Sequence, residues 1–93
     1  MEFDWDDGNI GKSFYRHGIH DEEIEEALED RLAIRIPARQ TRDEHREAIL
    51  GHATSSGRYL KIVYTRRTIA GLEFIRPISA IPMTRSQRAR YSR

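Results

Sequence analysis

The sequence predicts a small α+β domain in which helices pack on an antiparallel sheet. Apolar residues recur at helical spacing in the first third of the chain and alternate between residues 32 and 80, and a helix-start signal follows at Thr84. We expect a short N-terminal strand, two helices, an antiparallel sheet of three to four strands and a C-terminal helix. The 93 residues are expected to form one domain, residues 1–93.

The first elements are predicted from strand, capping and turn residues. Residues 3–5 are predicted to form the short strand, and a helix is expected over about 8–17. Asp6 or Asp7 is the expected N-cap of this helix, and Gly18 is placed to end it in a left-handed conformation. Three residues share one face of the predicted helix: Ile10, Phe14 and His17.

A second, acidic helix is predicted to begin at Asp21. Its apolar stripe, which we expect to face the core, is Ile24, Ala27 and Leu28. The outward positions are mostly carboxylates, namely Glu22, Glu25, Glu26 and Glu29. Like charges at these spacings repel, so a basic partner would stabilise this helix.

The rest of the chain is predicted to form strands and one terminal helix. Pro77 has no N–H for a central ladder, so its strand is expected to lie at an edge or to be bulged there. Thr84 and Gln87 form a capping box that predicts a helix from about 85 to 91. The predicted strands are 32–36, 46–51, 58–65 and 72–80, with turns at 54–57 and 66–71.

The charge is strongly divided along the chain. Residues 1–30 hold 11 acids and two bases, whereas residues 31–93 hold 14 bases and four acids. The division is compatible either with two kinds of partner, one basic and one polyanionic, or with an acidic helix and basic strands that neutralise one another. No cysteine is present, which excludes a disulfide scaffold and a thiolate nucleophile. No signal peptide or membrane span is visible, so we expect a cytoplasmic location.

Several short motifs lie in a fixed order along the chain. They are Phe3-Asp4-Trp5-Asp6, Asn9, Lys12 and His17-Gly18-Ile19, then residues 46–51, Val63-Tyr64-Thr65 with Arg66 and Arg67, residues 75–80, Thr84, Arg88 and Tyr91. Each motif is weak evidence by itself, but in this order they cover nearly the whole chain and resemble the motifs of the BrnT toxins.

The resemblance implies a RelE-like fold and cleavage of mRNA, commonly on the ribosome, which inhibits translation. It also implies a BrnA-like ribbon-helix-helix antitoxin as partner, with operator DNA contacted only through that antitoxin. The chain differs from the family pattern at two positions. It has Ile81 where the family usually has arginine, a candidate catalytic residue, and Gln87 where the family usually has glutamate.

Metal-independent RNA cleavage needs a base, an acid and positive charge on the phosphorane. The candidate catalytic residues are Arg76, Arg46, His17 and Arg88, and the candidate RNA-binding residues are Arg85, Tyr64, Lys12 and Tyr91. Three of these residues have a structural alternative that stays open. Arg76, expected beside the last helix, would pair with Glu47 or Glu73, His17 would bond to Asp4 or Asp6, and Tyr64 would belong to the core. We expect no cofactor and no metal site.

Three functions therefore remain open. The first is a ribonuclease toxin, and the second is a catalytically degenerate relative that still binds its antitoxin or nucleic acid, as Ile81 suggests. The third is a general nucleic-acid-binding module that uses the arginine-rich C-terminal end, which contains Arg85, Arg88, Arg90 and Arg93.

Overall fold

A computed structural model describes residues 1–92 and confirms the α+β class. Within that range it contains three helices and one four-stranded antiparallel sheet, in the order β1-β2-β3-β4. The elements are α1 (Lys12–His17), α2 (Asp21–Leu28), β1 (Ile34–Ile36), β2 (Glu47–Ala53), β3 (Arg58–Ile69), β4 (Leu72–Pro82) and α3 (Arg85–Tyr91). Arg93 lies outside the described residues.

The core lies between α2 and one face of the sheet. The predicted stripe of α2 is buried, with Ile24 and Ala27 at most 2% exposed. On the sheet, Ile49 pairs with Ile62 and belongs to the same apolar cluster. Gly51 allows a close approach, because a Cβ there would lie 2.3 Å from the carbonyl oxygen of Ala27.

The first helix is shorter than predicted, and the face that carries its apolar residues is exposed. It begins at Lys12 rather than at residue 8, because Asp6 caps a preceding turn instead of the helix. The Asp6 carboxylate accepts from the backbone N–H of Gly8 at 2.7 Å. Ile10 and Phe14, which were predicted to share one face with His17, are 56% and 52% exposed. Gly18 ends the helix as predicted, with φ 69°.

The hairpin between β3 and β4 is longer than predicted. Residues 66–69 continue β3 instead of forming a turn, and the reversal occurs at Ala70 and Gly71. Both have positive φ, 52° and 80°, as a tight two-residue hairpin turn requires. The ion pair between Arg66 and Glu73, at 2.9 Å, joins the two strands beyond the predicted end.

Strand β4 lies at the edge of the sheet and is bulged, as Pro77 predicted. Val63 pairs with Ser79 but Tyr64 pairs with Pro77, so Ile78 is the extra residue. The N-terminal segment runs parallel to β4, where the predicted first strand is reduced to one bridge, Phe3 with Ile75. The N–H of Asp4 donates to the Ile75 carbonyl at 2.8 Å. The buried face of β4 is the one that carries Ile75, Pro77 and Ala80.

The C-terminal helix forms as the capping box predicts. The Thr84 hydroxyl accepts from the Gln87 N–H at 3.1 Å, and the Gln87 carboxamide accepts from the Thr84 N–H at 3.0 Å. The hydroxyl of Tyr91 donates to Asp30, which follows α2. In the described part of the chain, no helix is both long and apolar enough to cross a membrane.

Candidate functional site

A cleft of about 290 Å³ lies between the N-terminal turn, α1 and β4. The buried Asn9 fixes the position of this turn, because its amide nitrogen donates to the carbonyls of Asp4 and Pro77, each at 3.0 Å. The turn therefore holds α1 beside the edge strand. The residues that line the cleft are Gly8, Asn9, Lys12, Arg16, Glu44, Arg76, Pro77 and Ile78.

Arg76 lines the cleft, but two carboxylates neutralise its charge. Its guanidinium lies 3.2 Å from Asp4 and 2.9 Å from Asp6, and its side chain is only 15% exposed. The hydrogen bonds from Arg76 hold the pKa of Asp6 below its ordinary value, and the Asp6 carboxylate raises the pKa of Arg76. Arg76 thus anchors the N-terminal segment to the sheet.

The partners expected for Arg76 were wrong. Glu47 and Glu73 bind Arg66 instead, at 2.6 and 2.9 Å. The reason is register: Arg66 and Arg76 lie on opposite faces of the sheet, since Arg76 pairs with Thr65. The acids that neutralise Arg76 come from the N-terminal segment, about 70 residues away in the chain.

Lys12 and Arg16 bring positive charge to the cleft from one face of α1. They are four residues apart, and residues at that spacing are neighbours on a helix surface. Within residues 1–92, neither forms an ion pair with a carboxylate. Sequence reasoning selected Lys12 but missed Arg16, although the helical spacing was a signal that could have identified it.

Glu44 places a carboxylate in the same cleft and links it to Arg46. Arg46 lies 3.0 Å from Glu44 through its Nε and 2.9 Å through its Nη2. The side chain of Gln40 holds this loop, because it bonds to both the carbonyl and the N–H of Arg46 at 2.8 and 3.1 Å. The predicted residue Arg46 therefore lies at the rim, whereas Glu44 was missed because it sits in a loop without a periodic pattern.

The predicted residues of the last helix lie elsewhere. Arg88 stacks on the ring of Tyr59, 3.5 Å from its centroid. Arg76 pairs with Thr65, which is six residues from Tyr59 along β3, or about 20 Å. The expectation that Arg76 lies beside the last helix was therefore wrong. Strand alternation nevertheless places Tyr59 and Thr65 on one face of the sheet.

Two further candidates, Tyr64 and Tyr91, make contacts within the protein. Tyr64 is 4% exposed and its hydroxyl donates to Glu47 at 3.3 Å, so the structure places it in the core, which is the alternative that the sequence left open. Burial raises the pKa of Tyr64. Tyr91 bonds to Asp30 and meets the ring of Tyr59 edge-on, and burial together with Asp30 raises the pKa of Tyr91 to about 12.

His17 is exposed at the end of α1 and is not among the described residues that line the cleft. Its expected hydrogen bond to Asp4 or Asp6 is absent from residues 1–92, where both carboxylates bind Arg76. Arg85 is likewise exposed, at the start of α3.

Carboxylates of the acidic second helix form hydrogen bonds and ion pairs with other parts of the protein. The carboxylate of Glu25 accepts from the indole N–H of Trp5 at 2.7 Å, and that of Glu23 lies 3.5 Å from Arg58. Together with the pairs around Arg76, these contacts favour the interpretation that the acidic first third and the basic remainder neutralise one another.

A comparison with known protein families identifies the family of this chain. A family model described as the ribonuclease toxin BrnT of type II toxin–antitoxin systems matches residues 5–87, which include the cleft, the whole sheet and the capping box. A search of the curated proteins finds no match. Because the family match covers most of the 93 residues, the chain belongs to the BrnT family of ribonuclease toxins, which act on RNA and are paired with an antitoxin.

Proposed function

We propose that this chain is a metal-independent, RelE-like endoribonuclease that cleaves mRNA in the cleft between α1 and β4 and so inhibits translation in the cytoplasm. The observation that supports this proposal is that Lys12 and Arg16, two cations that pair with no carboxylate among residues 1–92, share one cleft with the carboxylate of Glu44. Cationic groups bind phosphate, and a carboxylate is able to accept a proton.

The proposed reaction is a transfer of the phosphate within the RNA. Glu44 accepts the proton of the ribose 2′-OH, whose oxygen attacks the adjacent phosphorus. Arg16 stabilises the charge of the phosphorane, and it remains protonated throughout because guanidinium does not release its proton. The 5′-oxygen leaves with a proton from the Lys12 ammonium, which produces a 2′,3′-cyclic phosphate.

The other arginines position these groups or extend the surface. Arg76 fixes the N-terminal turn through Asp4 and Asp6, and Arg46 orients the carboxylate of Glu44. We assign Arg85 and Arg88, with Tyr91, to RNA segments that flank the scissile bond, because α3 stacks on the same sheet face at some distance from the cleft.

Replacement of Glu44 by glutamine tests the proposal directly. We expect Glu44→Gln to slow cleavage of single-stranded mRNA, measured with purified protein in EDTA, by about a hundredfold or more, the usual contribution of a general base. Glu22→Gln is the matched control, since Glu22 is an exposed glutamate on α2, and it is expected to cleave normally. Normal cleavage by Glu44→Gln would refute the assignment.

The second candidate is a catalytically degenerate toxin that still binds its antitoxin. Two observations favour it: Ile81 replaces the arginine usual in the family, and the charge of Arg76 is compensated by two carboxylates. Ile81 pairs with Lys61, and alternation along β3 places it on the sheet face that carries Arg76. If the natural chain does not cleave RNA and Ile81→Arg does, the degenerate function is correct.

For the partner, we propose a BrnA-like ribbon-helix-helix antitoxin that covers the cationic cleft and excludes RNA. The operator DNA would then be contacted only by the antitoxin, and cleavage would take place on mRNA that is being translated. Cleavage assays with free and ribosome-bound mRNA distinguish these substrates, and the preferred substrate is expected to be the ribosome-bound form.

A further inference from the structure

The outer side of α1 and its preceding turn carries three exposed apolar side chains. Ile10, Phe14 and Tyr15 are 56%, 52% and 91% exposed. The inward side of the same segment is polar, because the buried residues there are Asn9 and Ser13. Ile10 and Tyr15 line one shallow depression, and an exposed apolar patch of this kind typically marks an interaction site.

Positive charge borders this patch. A shallow depression of about 460 Å³ is lined by Ile10, Gly11, Lys12, Tyr15 and Arg16. The carboxylate of Asp21 reaches the same turn, but it accepts from the N–H of Gly11 at 3.0 and 3.2 Å. The patch therefore presents an apolar centre with a cationic border, which complements an amphipathic segment with acidic side chains.

We propose that this surface is the docking site for an acidic, amphipathic segment of the antitoxin. Apolar side chains of that segment cover Ile10 and Tyr15, and its carboxylates pair with Lys12 and Arg16. The same two cations line the cleft between α1 and β4, so the docked segment withdraws them from RNA. The docking itself does not depend on cleavage, whereas this mode of inhibition rests on the proposed function.

RNA is a poorer match for the patch than a peptide. The aliphatic side chain of Ile10 offers nothing to a phosphate or to a base edge. The ring of Phe14 is already packed on the imidazole of His20, with centroids 4.6 Å apart, which leaves less of it to stack on a base.

The test uses the full chain and its cognate antitoxin, purified separately. We expect Tyr15→Ser and Ile10→Ser to raise the Kd for the antitoxin by about thirtyfold or more, as the loss of an interface hot spot does. Cleavage by the free variants is expected to be unchanged, and added antitoxin is expected to inhibit it poorly. Leu72→Ser is the matched control, because Leu72 is 62% exposed at the β3–β4 hairpin, and it should bind normally.

Three results would overturn the proposal. The first is an antitoxin that binds both variants as tightly as it binds the natural chain. The second is a natural chain that elutes as a dimer, which Tyr15→Ser dissociates while antitoxin affinity is retained. The third is a loss of RNA affinity with no loss of antitoxin affinity. A chain that cleaves no RNA, but whose Tyr15→Ser variant loses the antitoxin, would refute the proposed nuclease function and leave the docking site supported.

Discussion

Replacement of Gly51 by alanine is expected to destabilise the protein by about 2 kcal/mol. A Cβ at this position would lie 2.3 Å from the carbonyl oxygen of Ala27 and 2.9 Å from its carbonyl carbon, both of which are backbone atoms of α2. The helix must move away from the sheet by roughly 1 Å, and overpacking of this kind typically costs about 1–3 kcal/mol. Alanine restricts the unfolded chain more than glycine does, which offsets about 0.5–1 kcal/mol.

The measurement is urea unfolding at 25 °C, followed by circular dichroism, together with the Tm. A loss of about 2 kcal/mol corresponds to a decrease in Tm of roughly 8–16 °C for a domain of this size. Gly57→Ala is a useful comparison, because a Cβ there would have no atom of residues 1–92 within 4 Å, and the cost of the change arises only from φ 76°. A Gly51→Ala protein within about 0.5 kcal/mol of the natural chain would refute the close approach of α2 to β2.

Three further predictions follow from individual contacts. Tyr91→Phe removes the hydrogen bond to Asp30 and is expected to lower the free energy of unfolding by about 1–2 kcal/mol. Because the pKa of Tyr91 is raised to about 12, this hydrogen bond stabilises the fold fully below pH 10, and the stabilisation is lost as the pH rises through 12. Alkaline unfolding of the Tyr91→Phe variant should lack this loss. Arg66 lowers the pKa of Glu47, so this carboxylate stabilises the fold fully above its ordinary value of 4.5. The stabilisation is lost as the pH falls from 4.5 through the lowered pKa of the folded state, and Glu47→Gln should therefore flatten the acid limb of a stability–pH profile. Arg16→Gln should reduce the slope of log K against log salt for RNA binding by about 0.7, and an unchanged slope would show that Arg16 does not contact phosphate.

The sequence predicted correctly those elements that are determined by residues close together in the chain. The apolar stripe of α2, Gly18 at the end of α1 and the capping box at Thr84 each depend on residues within one or two helical turns. Pro77 identified an edge strand because a missing N–H has the same consequence in any sheet. These predictions needed no knowledge of distant partners.

The incorrect predictions depended on contacts between distant parts of the chain. Asp6 resembled a helix cap, yet its carboxylate is shared with Arg76, a partner that only the folded N-terminal segment brings near. The sequence contains no signal for the exposure of Phe14, because the turn before α1 is held on β4 by the buried amide of Asn9. Arg16 and Glu44 likewise share one cleft only because the fold brings α1 next to the loop that contains Glu44.

The N-terminal segment has a second consequence, for the behaviour of the chain in solution. Phe3 occupies the outer edge of β4 near Ile75, and Pro77 interrupts that edge just beyond. An uncovered edge offers unpaired N–H and C=O groups on which a strand of another molecule is able to assemble. Deletion of the first six residues would therefore both release Arg76 from its acids and open the sheet to aggregation, so the few residues that precede the first helix protect the protein from self-association as well as shape its cleft.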